Sequence, residues 1–121
     1  MTNSRQKGKR GELEVARELR RIFETESIRS QQHSGQGLGP GDVILFDCEG
    51  NQLSLNIEVK RRESYSINKL LEWVEQARTE AGALNPAIVV HRKSNQPWMV
   101  TLLLDDLDLL VADLVYVDRP R

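Results

Sequence analysis

The stretch Ser34–Glu63, SGQGLGPGDVILFDCEGNQLSLNIEVKRRE, decides how this chain folds. Glycines at 35, 37, 39 and 41 lead to Asp42, and "DVILFD" then has the β-branched and aromatic make-up of a strand. "CEGNQ" supplies turn residues and "LSLNIEVK" a second strand, so the stretch reads as a hairpin. Side chains alternate along a strand, which puts Leu53, Leu55, Ile57 and Val59 on one face and Ser54, Asn56, Glu58 and Lys60 on the other. Glu58 and Lys60 are then same-face neighbours, roughly 6–7 Å apart at Cα from the strand rise. A solvated polar face is one reading of that pair. The hairpin register suggests another. A loop of Glu49, Gly50 and Asn51 pairs Cys48 with Gln52, and counting back sets Asp42 opposite Glu58. Opposed carboxylates repel unless a cation lies between them. Oxygen donors of this kind suit Mg2+ or Mn2+. A slip of one residue would dissolve the arrangement.

Outward from the hairpin, the patterns alternate between helix and strand. Residues Gly8–Phe23 have apolar positions every three to four residues at Leu13, Ala16, Leu19 and Phe23, which predicts an amphipathic helix. Residues 1–7 precede it as a flexible basic arm. Glu12 breaks the helix pattern, lying in line with Ala16, Leu19 and Phe23 on the face that should meet the core. A carboxylate there needs a partner or a metal; an acidic residue serving the helix start is the alternative. Residues 27–32 suggest a short strand. After the hairpin, Ile67, Leu70, Leu71, Val74, Ala77 and Ala81 mark a second helix that Gly82 stops. "PAIVVH" and "WMVTLLL" read as two more strands, and Asp105 as the cap of a short helix "DLDLLVAD" before a last apolar segment "LVYV". The order predicts an α/β (α+β) domain with a mixed central sheet flanked by helices.

The bulk numbers narrow the class. A chain of 121 residues, 39% hydrophobic and 29% charged, fits one globular domain spanning 1–121. No apolar run approaches the ~20 residues of a membrane helix, and no secretory signal is expected from the polar, basic start. Cys48 is the single cysteine, so no internal disulfide can form and a reducing compartment is expected. The net charge of −1 conceals an uneven distribution. Basic residues gather at Arg5, Lys7, Lys9 and Arg10, at Arg17, Arg20 and Arg21, and at Lys60, Arg61 and Arg62; acidic ones gather at Asp105, Asp106, Asp108, Asp113 and Asp118. A basic face opposite an acidic one is therefore possible, and ordinary solvated charge is the alternative. The glycine loop alone says little, and no Gly-Lys-Ser/Thr follows it, so it is no Walker loop. His33 and His91 have no partner at zinc-site spacing.

"KGKRGELEVARELR", "GDV" and "IEVK" together resemble the PD-(D/E)XK nuclease superfamily, and within it the archaeal-type Holliday junction resolvases and their phage relatives. The resemblance covers about residues 7 to 93. Asp42, Glu58 and Lys60 match the Asp…Glu-x-Lys motif, with Pro40 displaced from its usual place beside the Asp. Glu12 matches the glutamate of the first helix, and Gln76, in "WVEQAR", a glutamine of some related nucleases.

The resemblance implies a restriction-endonuclease-like fold and a metal-dependent endonuclease that hydrolyses DNA to leave a 5′-phosphate. It further implies that Asp42, Glu58 and the Val59 carbonyl hold Mg2+, with Mn2+ able to substitute and Glu12 adding a direct or water-mediated ligand. Lys60 would serve the attacking water and the scissile phosphate. Lys7, Lys9, Arg10, Arg29, Ser34, Gln36, Arg61, Arg62 and Gln76 are the expected DNA contacts, reading shape more than sequence. The expected substrate is branched DNA, the four-way junction, cut by paired nicks. A restriction- or repair-type enzyme, a virus-type replication-repair nuclease and a non-catalytic DNA-binding module are the alternatives. Paired nicks call for a homodimer. Trp98, Leu102, Leu104, Leu107, Leu110, Val115 and Tyr116 need cover, which places the interface on the second half of the sheet and the C-terminal segment. The expected location is the cytoplasm of a prokaryote, or of a phage-infected host.

Overall fold

A computed structural model describes residues 4–30, 41–115 and 117, with side chains from Gly8 onward. The first helix, α1, runs Ser4–Phe23. It starts four residues ahead of Gly8, so the expected seven-residue arm is shortened: Arg5, Gln6 and Lys7 are good helix formers and nothing before Gly8 stops them. Strands β1 (Ser27–Arg29) and β2 (Val43–Leu45) follow, then β3 (Asn56–Arg62), helix α2 (Ile67–Ala81), and strands β4 (Ala87–Lys93) and β5 (Met99–Thr101). A 3-10 turn at Leu104–Asp106 leads into α3, Leu107–Leu114. The strands form one five-stranded sheet in sequence order. β3 and β4 are parallel, joined by α2; the other neighbours are antiparallel. This is the α+β fold with a mixed sheet between helices that the pattern of elements predicted, and it is consistent with the restriction-endonuclease-like architecture that the resemblance implied.

Side-chain alternation divides the apolar residues between two layers. α1 brings Val15 and Ala16 onto Val43, Leu45, Ile57, Ile88 and Val90, and Leu53, Leu55 and Val117 close that core. α2 brings Leu70, Trp73, Val74, Ala77 and Ala81 onto the opposite face, against Ala87 and Val89. The face of β3 that could have been solvated is thus partly roofed by α2. Leu13, predicted to face inward, is 46% exposed, and Val15 takes its place in the core. α2 begins and ends where expected: the Ser66 side chain accepts from the Lys69 N–H, and the Gly82 N–H bonds to the Arg78 carbonyl. Asp105 does not cap α3. Asp106 precedes the helix and its carboxylate takes Arg78 instead, 2.7 Å from Nε.

The hairpin turn is longer than predicted, yet its register at the site is the predicted one. Val43 pairs with Ile57, which sets Asp42 opposite Glu58. At the turn, however, Phe46 and not Cys48 pairs with Gln52. Asp47 Oδ1 accepts from the Glu49 and Asn51 N–H groups (2.9 and 2.8 Å) and closes a wider loop. Residues 53–55 then take up two extra positions outside regular pairing. Because the side-chain period is two, a two-residue detour leaves every face unchanged.

Candidate active site

Asp42 is fixed on three sides. Its N–H donates to the Ile57 carbonyl (2.7 Å), its own carbonyl accepts from the Ser30 N–H (3.0 Å), and its Oδ2 accepts from the Val59 N–H (2.8 Å). Val59 therefore orients the carboxylate through its N–H. Gly41 makes this closeness possible. Its φ is +92°, and a Cβ there would collide with the Asn56 side-chain oxygen and the Ile57 backbone. Asn56 is buried, and its amide donates to the Ala77 carbonyl (2.8 Å), tying β3 to α2 beneath the site.

Around Asp42 the carboxylates gather. Burial, then the Asp42 charge, then a contact with Glu80 push the Glu58 carboxyl up to about 9. Glu12 is also raised: burial and Asp42 push it up, and Arg29 opposes them. Glu12 and Arg29 form an ion pair in which both side chains are mostly buried. The helical anomaly at Glu12 thus has a partner in β1, and that partner was expected to touch DNA. Glu80 was not anticipated. It lies on α2 one turn beyond Gln76, whose Nε2 donates to it at 3.3 Å. The spacing Trp73, Gln76, Glu80 on the helix that roofs β3 was the available signal.

Lys60 shares the Glu58 face, as alternation required. Its ammonium lies 5.8 Å from the centre of the Trp73 ring, and the Arg62 guanidinium lies 5.6 Å from the same ring. Arg61 points the other way. It and Arg92 both reach Glu14 on α1, at 3.7 and 3.2 Å, so Arg61 is committed to an internal ion pair rather than displayed. Lys9 and Arg10 are exposed on α1, and Gln76 is exposed on α2. The Lys7 side chain, Ser34, Gln36, Pro40 and the glycines at 35, 37 and 39 lie outside the described residues, as does Tyr116.

Among the described residues no three carboxylate, imidazole or thiol groups converge into a ready-made cation cage. The oxygen set nevertheless fits a hard divalent ion. Burial and the neighbouring Asp42 carboxylate make a charge on Glu58 costly, and a divalent cation between the two would relieve that cost. Mg2+ characteristically uses one or two carboxylates and fills its remaining positions with water and substrate phosphate.

No helix among the described residues is long and apolar enough to cross a membrane. Comparison with curated proteins and with solved structures finds no match. A family model does match, over residues 3–117, and by that match the chain belongs to the nuclease family described as "Phage putative PDDEXK endonuclease".

Proposed function

We propose that the chain is a divalent-metal-dependent DNA endonuclease that acts on branched DNA and resolves four-way junctions by paired nicks. The observation that carries the hydrolytic part is the Asp42–Glu58 pair, opposed across the hairpin with Lys60 on the same face. Asp42 and Glu58 would hold Mg2+, with the Val59 carbonyl and Glu12 completing the set. When bound, the ion supplies positive charge to the phosphate and acidifies a water. Asp42, locked by the Val59 N–H, keeps its carboxylate in one orientation through the reaction. Lys60 orients the attacking water and offsets charge growing on the phosphate. Water adds to phosphorus, the bond to the 3′-oxygen breaks, that oxygen takes a proton, and a 5′-phosphate remains.

Grip on the substrate would come from phosphate contacts by Lys9, Arg10 and Arg62, all exposed. Two opposed nicks need two sites, and a second copy of the chain supplies the other. The set of residues expected to need cover divides in support of this. Trp98, Leu102 and Leu110 pack onto the larger core. Leu104, Leu107 and Val115 are exposed instead, Leu104 at 83%, and with Val111, which was not among the residues expected to need cover, they form an apolar stripe spaced three to four apart. That stripe is where the second copy would sit.

Labelled duplex, flap and four-way junction DNA incubated with Mg2+ tests the reading. Symmetric cuts confined to the junction support it. Cuts in plain duplex point to a restriction-type enzyme, and tight binding without any cut would leave only a DNA-binding module. Sedimentation at micromolar concentration tests the dimer: a 13.8 kDa species that still makes paired cuts would remove it.

A further inference from the structure

Beyond Lys60 the same face of the sheet continues into a hollow that the hydrolytic reading does not use. Tyr65 stacks at a tilt on Trp73, with ring centres 5.1 Å apart, and meets His91 edge-on at 5.4 Å. Trp73 carries Lys60 on its face, and Lys60 is the register partner of His91 across β3 and β4. A short run of rings therefore leads from the candidate catalytic lysine to a cavity of about 360 Å³, bounded by Tyr65, Leu70, His91, Lys93, Pro97 and Met99. That volume is within the range of sites that take small organic groups.

The lining is mostly apolar and aromatic, and its rim is cationic. The Lys93 ammonium lies 5.7 Å from the Tyr65 ring centre. Ile67 and Met99 stand at the lip, 77% and 58% exposed. The floor is polar and ordered: Tyr65 Oη is hydrogen-bonded to His91 Nδ1, and His91 Nε2 lies 2.7 Å from Thr101 Oγ1. Burial lowers the His91 pKa, so the ring is neutral at pH 7 and offers one donor and one acceptor. The relay can run in either direction. In one, Tyr65 donates to the ring and keeps acceptor lone pairs for a ligand; in the other it accepts from the ring and its own proton points outward.

We propose that this cavity receives one unstacked base of the DNA strand that passes Lys60, stacking it against Tyr65 with Lys93 on the adjoining phosphate. The proposal rests on the reading of the chain as a DNA nuclease and gives that site a second element of substrate selection. A flat π-face suits any base, and a hydroxyl able to donate or accept suits either kind of base edge. Base-paired duplex keeps its bases stacked and would have to surrender one. A branch point or single-stranded segment would not, and this favours distorted DNA at the point of cutting.

Two measurements together test the cavity. In metal-free protein, titration with dAMP should shift the Tyr65 ring and Met99 methyl NMR signals, and Met99→Glu, at an exposed edge position, should abolish the Tyr65 shift. In an abasic walk along a branched substrate, removal of one particular base near the cut should weaken binding about tenfold, and Met99→Glu should flatten the profile. Active protein with a flat walk and no NMR shifts would overturn the pocket and leave the nuclease reading standing. Protein that cleaves no DNA yet shows the shifts would remove the nuclease reading and leave a nucleotide site. Shifts with dAMP but a flat walk would also overturn the proposal, because the base would then not come from the bound strand.

Discussion

Glu58→Gln should stabilise the metal-free protein. The Glu58 pKa rises from 4.5 to about 9 on folding, so the folded chain holds that proton more tightly than the unfolded chain. Between those two values the unfolded chain releases its proton first, and the folded state loses relative stability as pH climbs. Below about 4.5 there is no penalty, and above about 9 it grows no further. At pH 7 the gap from 4.5, at ~1.4 kcal/mol per unit, sets a ceiling of about 3–4 kcal/mol. The amide removes the ionisable proton but stays as buried as the carboxyl it replaces, so we expect about 1–3 kcal/mol. For a chain of this size that is roughly 5–10 °C in Tm. The assay is thermal melting in EDTA at pH 5, 7 and 9, wild type against variant. The gap in Tm should be small at pH 5 and widen toward pH 9. Excess Mg2+ should then stabilise the wild type more than the variant, because the ion replaces the proton that Glu58 otherwise keeps. A variant that melts lower than wild type at pH 8, or by the same margin at every pH, would refute the claim that burial and the neighbouring Asp42 hold Glu58 protonated in the folded chain.

Asp42→Asn should cut activity by about 10²- to 10³-fold without lowering Tm in EDTA; cleavage rates and melts on the same preparation check both halves. Gly41→Ala should cost about 2–4 kcal/mol, from left-handed strain plus the clash with Asn56 and Ile57, and denaturant titration reads it directly. Metal affinity should climb between pH 6 and 9, because Glu58 must give up its proton to bind the ion; calorimetry in buffers of different ionisation enthalpy should record proton release. Lys9→Ala and Arg10→Ala should each reduce the salt slope of DNA binding by about one, whereas an unchanged slope would take α1 off the DNA.

The Asp42–Glu58 pairing was legible in the sequence for a reason that also hid the turn. Strand faces depend only on whether a count is odd or even. The loop is wider than the predicted three residues and the detour at 53–55 adds the difference back, so the errors cancel. What was not legible was Asp47, whose carboxylate closes the loop through two backbone N–H groups. An aspartate that serves its own turn looks in sequence like one that ends a strand. Glu80 was hidden for a different reason. It reaches Glu58 only because α2 crosses back over β3, and the helix pattern identifies the face that meets the sheet without saying which strand residue it meets. The Tyr65–His91 relay was equally invisible, since it joins the connection before α2 to a central strand 26 residues away.

Basic residues were read least well, and the reason is directional. Lys60, Arg61 and Arg62 are consecutive, so a strand must send the middle one opposite its neighbours. Lys60 and Arg62 go to Trp73 on the α2 side; Arg61 goes to Glu14 on the α1 side, where Arg92 from the next strand joins it. Arg29 is likewise turned to Glu12. A cluster of charge in sequence gives sign and number, but an amphipathic element divides it between two environments. In the half-buried one each cation needs a carboxylate, because an unpaired charge there is costly. Glu12 and Glu14 sit two apart on α1 and meet this demand on three different strands, β1, β3 and β4. The carboxylates of the first helix thereby fix where α1 rests on the sheet, and that docking carries Glu12 to Asp42.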